Sequence, residues 1–194
     1  MNELTTHIWW PTLIWFTDML DEEKLVLKDM KKYILDMKKN DTIGVIKSNN
    51  GGWQSQTYLE WPEQFELFSN KLDENIKICS EQMGLPELKL NNFWCNINTF
   101  GDYNKLHNHH HSILSGTFYV DVPDKNMGKI NFVRADDIEY YLPELDNYNS
   151  INGEIASYTP ESGRLIMFPS WVKHSVDGCR SKKNRIGISF NYGV

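Results

Sequence analysis

The chain has 194 residues, of which 40% are hydrophobic and 13% aromatic, enough for a substantial core and too apolar for a disordered polymer. A formal net charge of −6, from 20 Lys and Arg against 26 Asp and Glu, argues against nucleic-acid binding, which needs a basic stripe. No apolar run reaches the roughly 18 residues needed to span a bilayer, and Met1-Asn2-Glu3-Leu4 carries no basic leader signature, so a soluble, membrane-free protein is expected.

In chain order, His7 to Phe16 is aromatic-rich and broken by Pro11, and reads as a strand at a sheet edge. A helix is expected next, capped by Asp21 with Glu22 and Glu23 in its first turn, where the helix dipole favours negative charge. Val26, Met30, Tyr33, Ile34 and Met37 recur on it at helical spacing. Residues 39–61 read as a polar connection containing the turn Asn49-Asn50-Gly51-Gly52-Trp53. Pro62 then suits the first turn of a second helix, whose apolar stripe is Phe65, Phe68, Leu72, Ile76, Cys79 and Met83.

From Leu88 the period changes to two. Leu88, Leu90, Phe93, Cys95 and Ile97 predict a half-buried strand with an irregularity near Asn91-Asn92. After a Gly101-Asp102 turn, short strands are predicted near 105–111, 114–122, 128–133, 155–159, 163–168 and 185–192. A loop over 134–153, rich in Asp, Tyr and Asn, interrupts them. Helices first and antiparallel strands after predict an α+β domain: a double-stranded β-helix, or jelly roll, with two N-terminal helices packed on one sheet. The expected organisation is a single domain over 1–194, with 1–86 as strand and helical support and 87–194 as the jelly-roll core. Edge strands of small jelly rolls pair readily, so a homodimer is compatible with this reading.

Cys79, Cys95 and Cys179 are odd in number, far apart and without C-x-x-C spacing. That argues against a disulfide framework or a structural zinc site, and a reducing cytoplasm fits better.

Chemistry concentrates in two segments. His107-Asn108-His109 begins the first, and His174 closes the second, with Arg185 eleven residues on. Read as a strand, 107–111 places His107, His109 and His111 on one face. His107 and His109 with His174 would then form a three-imidazole metal site, with coordination positions left open. Imidazole alone does not choose among iron, zinc, copper and nickel. His110 and His7 read as bystanders.

The run His107-Asn108-His109-His110-His111-Ser112-Ile113-Leu114-Ser115-Gly116-Thr117-Phe118-Tyr119 resembles the iron(II)- and 2-oxoglutarate-dependent oxygenases, specifically the branch with the pattern H-x-H-x-x-S-x-L-S-G-x-x-Y. Gly163, Phe168, Pro169, His174, Arg185, Ser189, Phe190 and Asn191 match the second half in order, so the resemblance covers roughly 93–192. It extends more weakly to the Trp-rich start and to Gly51-Gly52-Trp53. It implies Fe(II) on His107, His109 and His174, and 2-oxoglutarate chelating that iron. Arg185 would take the far carboxylate, because a guanidinium is permanently charged and pairs bidentately. Ser189 would add a hydrogen bond beside Gly187, Tyr119 would direct its phenol at the same carboxylate, and Asn98 is a candidate for the cosubstrate's other end. The implied reaction is hydroxylation coupled to decarboxylation of 2-oxoglutarate to succinate, on a small-molecule or peptide substrate.

One departure stands out. Most of the superfamily has a carboxylate where this chain has His109, which leaves the site about one charge more positive; Asp102 is a poor substitute in its turn. Two other readings remain open: a three-histidine cupin-type dioxygenase indifferent to Arg185, and a non-catalytic jelly-roll metal-binding module. Trp9, Trp10, Trp53 and Trp61 with the 134–153 loop are candidates for a lid. Asp136, Asp137, Glu139, Tyr140 and Tyr141 in that loop hint at a cationic or peptide substrate.

Overall fold

The computed structural model describes residues 4–19, 24–136 and 140–194. The expected cap at Asp21 with Glu22 and Glu23 lies outside the described residues, as do Asp137 and Glu139 of the long loop and the side chain of Val26.

Strand β1 (Trp15–Asp18) precedes helix α1 (Lys24–Asn40). Two short strands follow, β2 (Asn49–Asn50) and β3 (Trp53–Gln54), and a 3₁₀ turn (Glu63–Phe65) leads into α2 (Glu66–Gln82). Then come β4 (Lys89–Asn98), β5 (Tyr103–His107), β6 (Leu114–Asp121) and β7 (Ile130–Val133). The last four are β8 (Ile155–Tyr158), β9 (Arg164–Pro169), β10 (His174–Val176) and β11 (Arg185–Gly193). They form two antiparallel sheets, β1-β9-β6-β11-β4-β3 and β2-β5-β10-β7-β8, so the α+β jelly roll is the architecture observed.

The period of two on β11 divides the protein into two layers. Ile186, Ile188, Phe190 and Tyr192 face the helices, packing with Phe93, Cys95 and Ile97 of β4 and with Phe65, Phe68, Leu72, Ile76 and Cys79. Burying each such side chain contributes about 1.5–3 kcal/mol. The helices therefore cover one face of the six-stranded sheet and leave the other for the space between sheets. Gly116 on β6 is closely flanked within the sheet by its neighbours β11 and β9: a Cβ there would lie 2.4 Å from Phe190 Cζ and 2.6 Å from the Ile166 carbonyl oxygen. Between the sheets sits a smaller apolar group that includes Tyr119, Ile130, Phe132 and Phe168.

Several boundaries differ from expectation. The edge strand is Trp15–Asp18, beyond Pro11, which is where the missing N–H at Pro11 no longer interrupts a ladder. The 39–61 connection contains β2 and β3; both are two residues long, below the span at which a period of two is recognisable. The irregularity near Asn91-Asn92 is a bulge: Asn191 pairs with Asn92 but Tyr192 pairs with Leu90, leaving Asn91 as the extra residue. Among the described residues, no helix is long and apolar enough to cross a membrane.

Candidate metal and cosubstrate site

His107 ends β5 and His174 begins β10, and the two are register partners across adjacent strands. His109 is placed differently from the strand reading. The strand stops at His107, and 108–113 turns back, with His111 at φ +63°. His109 therefore reaches its position from a turn rather than by strand alternation. His111 does not share its face: it is exposed, and its carbonyl accepts a hydrogen bond from Asn91 Nδ2 at 3.2 Å. The turn is pinned on both sides, by His109 N–H to the Ser170 carbonyl and by Ser170 N–H to the Ile113 carbonyl, each at 2.9 Å.

The three imidazoles converge, with ligand nitrogens within 4.8 Å of one another. Ring centroids lie 4.3 Å (His107 to His174), 5.0 Å (His109 to His174) and 5.3 Å (His107 to His109) apart. Each ring commits Nδ1 to an oxygen: His107 to the Lys105 carbonyl at 2.7 Å, His174 to the Val172 carbonyl at 3.0 Å, and His109 to Asn191 Oδ1 at 2.5 Å. A carbonyl only accepts, so Nδ1 carries the proton and Nε2 keeps its lone pair. Burial lowers all three imidazoles below their ordinary range, His109 to about 4 and His174 to about 3, so at neutral pH each is an uncharged donor. Three neutral Nε2 donors grouped in this way suit a divalent first-row metal. His110 is exposed, and so is His7.

The same cavity, about 610 Å³ including its open mouth, holds the expected cosubstrate residues. Arg185, Tyr119, Ser189 and Asn98 all line it, as do the three histidines. Arg185 is only 5% exposed. It donates to the Met127 carbonyl at 2.6 Å, to the Gly128 carbonyl at 3.1 Å and to Asn98 Oδ1 at 3.1 Å. Among the described residues no carboxylate pairs with it. Its carbonyl cradle needs Gly128, at φ +77°, where a Cβ would strike the Asp177 carbonyl at 2.2 Å. The Tyr119 ring centroid lies 6.0 Å from the guanidinium carbon, within cation–π range. Burial raises the Tyr119 phenol, so it stays protonated and can donate. Ser189 Oγ accepts from Asn96 Nδ2 at 3.0 Å. Gly187 lies between Arg185 and Ser189, and a Cβ there would sit 3.1 Å from the Phe118 carbonyl oxygen.

Against 2-oxoglutarate the pattern is coherent: neutral imidazoles for the metal and, in the same cavity, a buried guanidinium with no carboxylate partner among the described residues. A model of the family described as "Putative 2OG-Fe(II) oxygenase" matches residues 92–191. The chain belongs to the 2OG-Fe(II) oxygenase family. It is accordingly an Fe(II)- and 2-oxoglutarate-dependent oxygenase.

Solved structures share the fold. A Pseudomonas putida prolyl-4-hydroxylase is 12% identical, with a TM-score of 0.66 over 94% of this chain and 92% of that one. A Trichoplax adhaerens prolyl hydroxylase, in complex with a hypoxia-inducible-factor peptide fragment, is 11% identical, with a TM-score of 0.68 over 93% and 83%. HygX from Streptomyces hygroscopicus, with nickel and 2-oxoglutarate bound, is 13% identical, with a TM-score of 0.61 over 94% and 82%. No curated protein matches the sequence.

Other expectations are corrected. None of the four tryptophans suggested as a lid lines the oxygenase's cavity. Trp53 is buried, its Nε1 donating to the Asp41 carbonyl, and Trp61 stacks on Phe93 at 4.1 Å on the helix side. Trp9 and Trp10 are exposed. No described residue of 134–153 lines the cavity; Arg134 pairs with Asp136, and Tyr140 and Tyr141 face solvent. Trp94, which no motif singled out, is the tryptophan on the wall, facing inward by alternation from Phe93 and Cys95. Asp102 is committed elsewhere, its carboxylate accepting the Thr99 N–H at 2.7 Å. Sequence reasoning assigned no role to Ser115, Ser170 or Asn191. Ser115 and Asn191 lay within the matched motif, but only the tertiary contacts disclose what they touch.

Proposed function

We propose that His107, His109 and His174 hold Fe(II) through Nε2, and that Arg185 binds the far carboxylate of 2-oxoglutarate. The single observation carrying this reading is the buried Arg185, charged and without an anionic partner among the described residues, in the cavity where the imidazoles meet. A buried cation is tolerated when a bound anion completes it. Asn98 and the Met127 and Gly128 carbonyls orient the guanidinium but do not neutralise it. Tyr119 and Ser189 supply neutral donors beside it.

Bound iron supplies oxygen activation coupled to decarboxylation of the cosubstrate. The protein's own groups fix position: the three tautomer-locked rings would hold the metal, and Arg185 would set the reach of the cosubstrate. Phe168, 4.6 Å from the His174 ring, and Ile130 keep the deep wall apolar and exclude water.

The outcome proposed is hydroxylation of a C–H bond on a small molecule or peptide. No carboxylate of the described residues lines the cavity; Asn96, Asn104, Ser48 and Trp94 supply its neutral polar wall. A buried ammonium or guanidinium on the substrate would find no ion partner there, which favours an uncharged reacting segment over a cationic one. A reducing, cytoplasmic setting belongs to the same proposal: all three cysteines are buried and unpaired, and burial pushes the Cys79 thiol up to about 12.

The test is anaerobic addition of Fe(II) with and without 2-oxoglutarate, following the visible charge-transfer band of the chelate. The band is expected in the wild type and in His110→Ala, and is expected to disappear in Arg185→Ala. A band that persists in Arg185→Ala would remove the proposed role of that residue.

A further inference from the structure

We infer that Asn191 is the positioning residue that makes His109 a metal donor. His107 and His174 are each oriented locally, by the carbonyl two residues earlier, Lys105 and Val172. His109 sits beyond the end of its strand and is instead held by a side chain 82 residues away, on β11.

The contacts close into a ring. His109 N–H donates to the Ser170 carbonyl at 2.9 Å. The Ser170 and Ser115 hydroxyls bond at 2.7 Å, and Ser115 Oγ donates to Asn191 Oδ1 at 2.7 Å. That same Oδ1 faces His109 Nδ1, and Asn191 Nδ2 is drawn the other way, donating to Asn92 Oδ1 at 2.9 Å. Ser115 and Ser170 are fully buried and Asn191 is 8% exposed, so water does not compete for these groups. Asn191 thus presents an oxygen to His109, and an oxygen without a proton selects the tautomer protonated at Nδ1. A free histidine side chain in water favours the opposite tautomer, with the proton on Nε2, which blocks the donor atom. The amide reverses that preference without adding a charge. Outer partners of this kind set ring orientation and tautomer, and losing one typically costs 10–100-fold in metal affinity.

This inference rests on His109 being a ligand, and the experiment separates the two. Nitrogen-15 NMR of the metal-free wild type reads each histidine's tautomer directly. His109 is expected to be protonated at Nδ1; protonation at Nε2 would overturn the inference. Co(II) titration then compares His109→Ala, Asn191→Leu and Asn191→Asp, with circular dichroism to verify folding. Asn191→Leu is expected to weaken Co(II) about 10–100-fold and to release the tautomer of His109 while those of His107 and His174 stay put. Asn191→Asp, which keeps the acceptor, is expected to hold Co(II) at least as tightly as the wild type. Equal losses in the Leu and Asp variants would overturn the inference. Unchanged affinity in His109→Ala would instead overturn His109 as a ligand.

Discussion

Arg185 and Asn98 stand opposite each other as the register partners that begin β11 and end β4, and Asn98 Oδ1 accepts a guanidinium hydrogen bond at 3.1 Å. The pair explains why a residue at a strand end holds a buried cation steady: the neighbouring strand supplies an acceptor, and the Met127-Gly128 turn supplies two more. Each of these three hydrogen bonds is to a neutral oxygen, so among the described residues the positive charge is not neutralised and remains available to a ligand.

Removal of that charge is expected to act on the cosubstrate alone. Arg185→Gln should weaken 2-oxoglutarate by at least about 30-fold, since truncating one partner of a buried charge pair costs about 2–5 kcal/mol. Fe(II) affinity should stay within a few-fold of the wild type. Asn98→Ala should cost about tenfold, the worth of one hydrogen bond of about 1–1.5 kcal/mol. Isothermal titration with 2-oxoglutarate in the presence of a redox-inert divalent metal separates these effects.

Metal removal should be obtained at His174 and not at its exposed relatives. His174→Ala deletes a donor that is 4% exposed and central in the five-stranded sheet, and should abolish stoichiometric Fe(II) binding. His110→Ala and His111→Ala should leave it intact. Metal content after anaerobic reconstitution and desalting is the measurement.

The histidines also predict the acid response of the metal-free protein. Their folded-state imidazoles lie below the unfolded value of about 6.5, with His109 at about 4 and His174 at about 3. As pH falls through about 6.5 the unfolded chain takes up protons first, so stability is full above that value and declines below it. For the buried His174 the slope approaches about 1.4 kcal/mol per pH unit, and it ends once the folded ring also protonates near the lower limit. Urea midpoints at pH 7, 6 and 5 should fall in that order, and Fe(II) should stabilise by binding only the folded state. Equal midpoints at pH 7 and 5 would contradict the burial of these rings.

Gly116→Ala tests how closely β6 is flanked by β9 and β11 within the six-stranded sheet. Its added carbon would meet a backbone oxygen at 2.6 Å as well as the Phe190 ring, and backbone does not yield cheaply. A destabilisation of about 1–3 kcal/mol is expected, read as a lowered urea midpoint. A midpoint equal to that of the wild type would show that β9 and β11 yield freely around β6.

Much of this protein was determined by residue order alone. The alternation of Arg185, Gly187, Ser189 and Asn191 with Ile186, Ile188, Phe190 and Tyr192 assigns each set to a face, because successive strand side chains must point apart. The stripe from Phe65 to Cys79 likewise declares one buried helix face, and all five of its residues through Cys79 are in the core. What spacing along the chain cannot decide is where a strand ends. His109 satisfies an alternating pattern on paper, yet the ladder stops at His107, and the ring is aimed by Asn191 and by a turn clamped on Ser170. The same holds for Trp61 and Trp94: identical residue types, on opposite faces of one sheet, so that one packs against Phe93 and the other lines the cavity. Local periodicity fixes which way a side chain leaves the backbone; contacts between residues far apart in the chain, which depend on tertiary packing, decide what it meets.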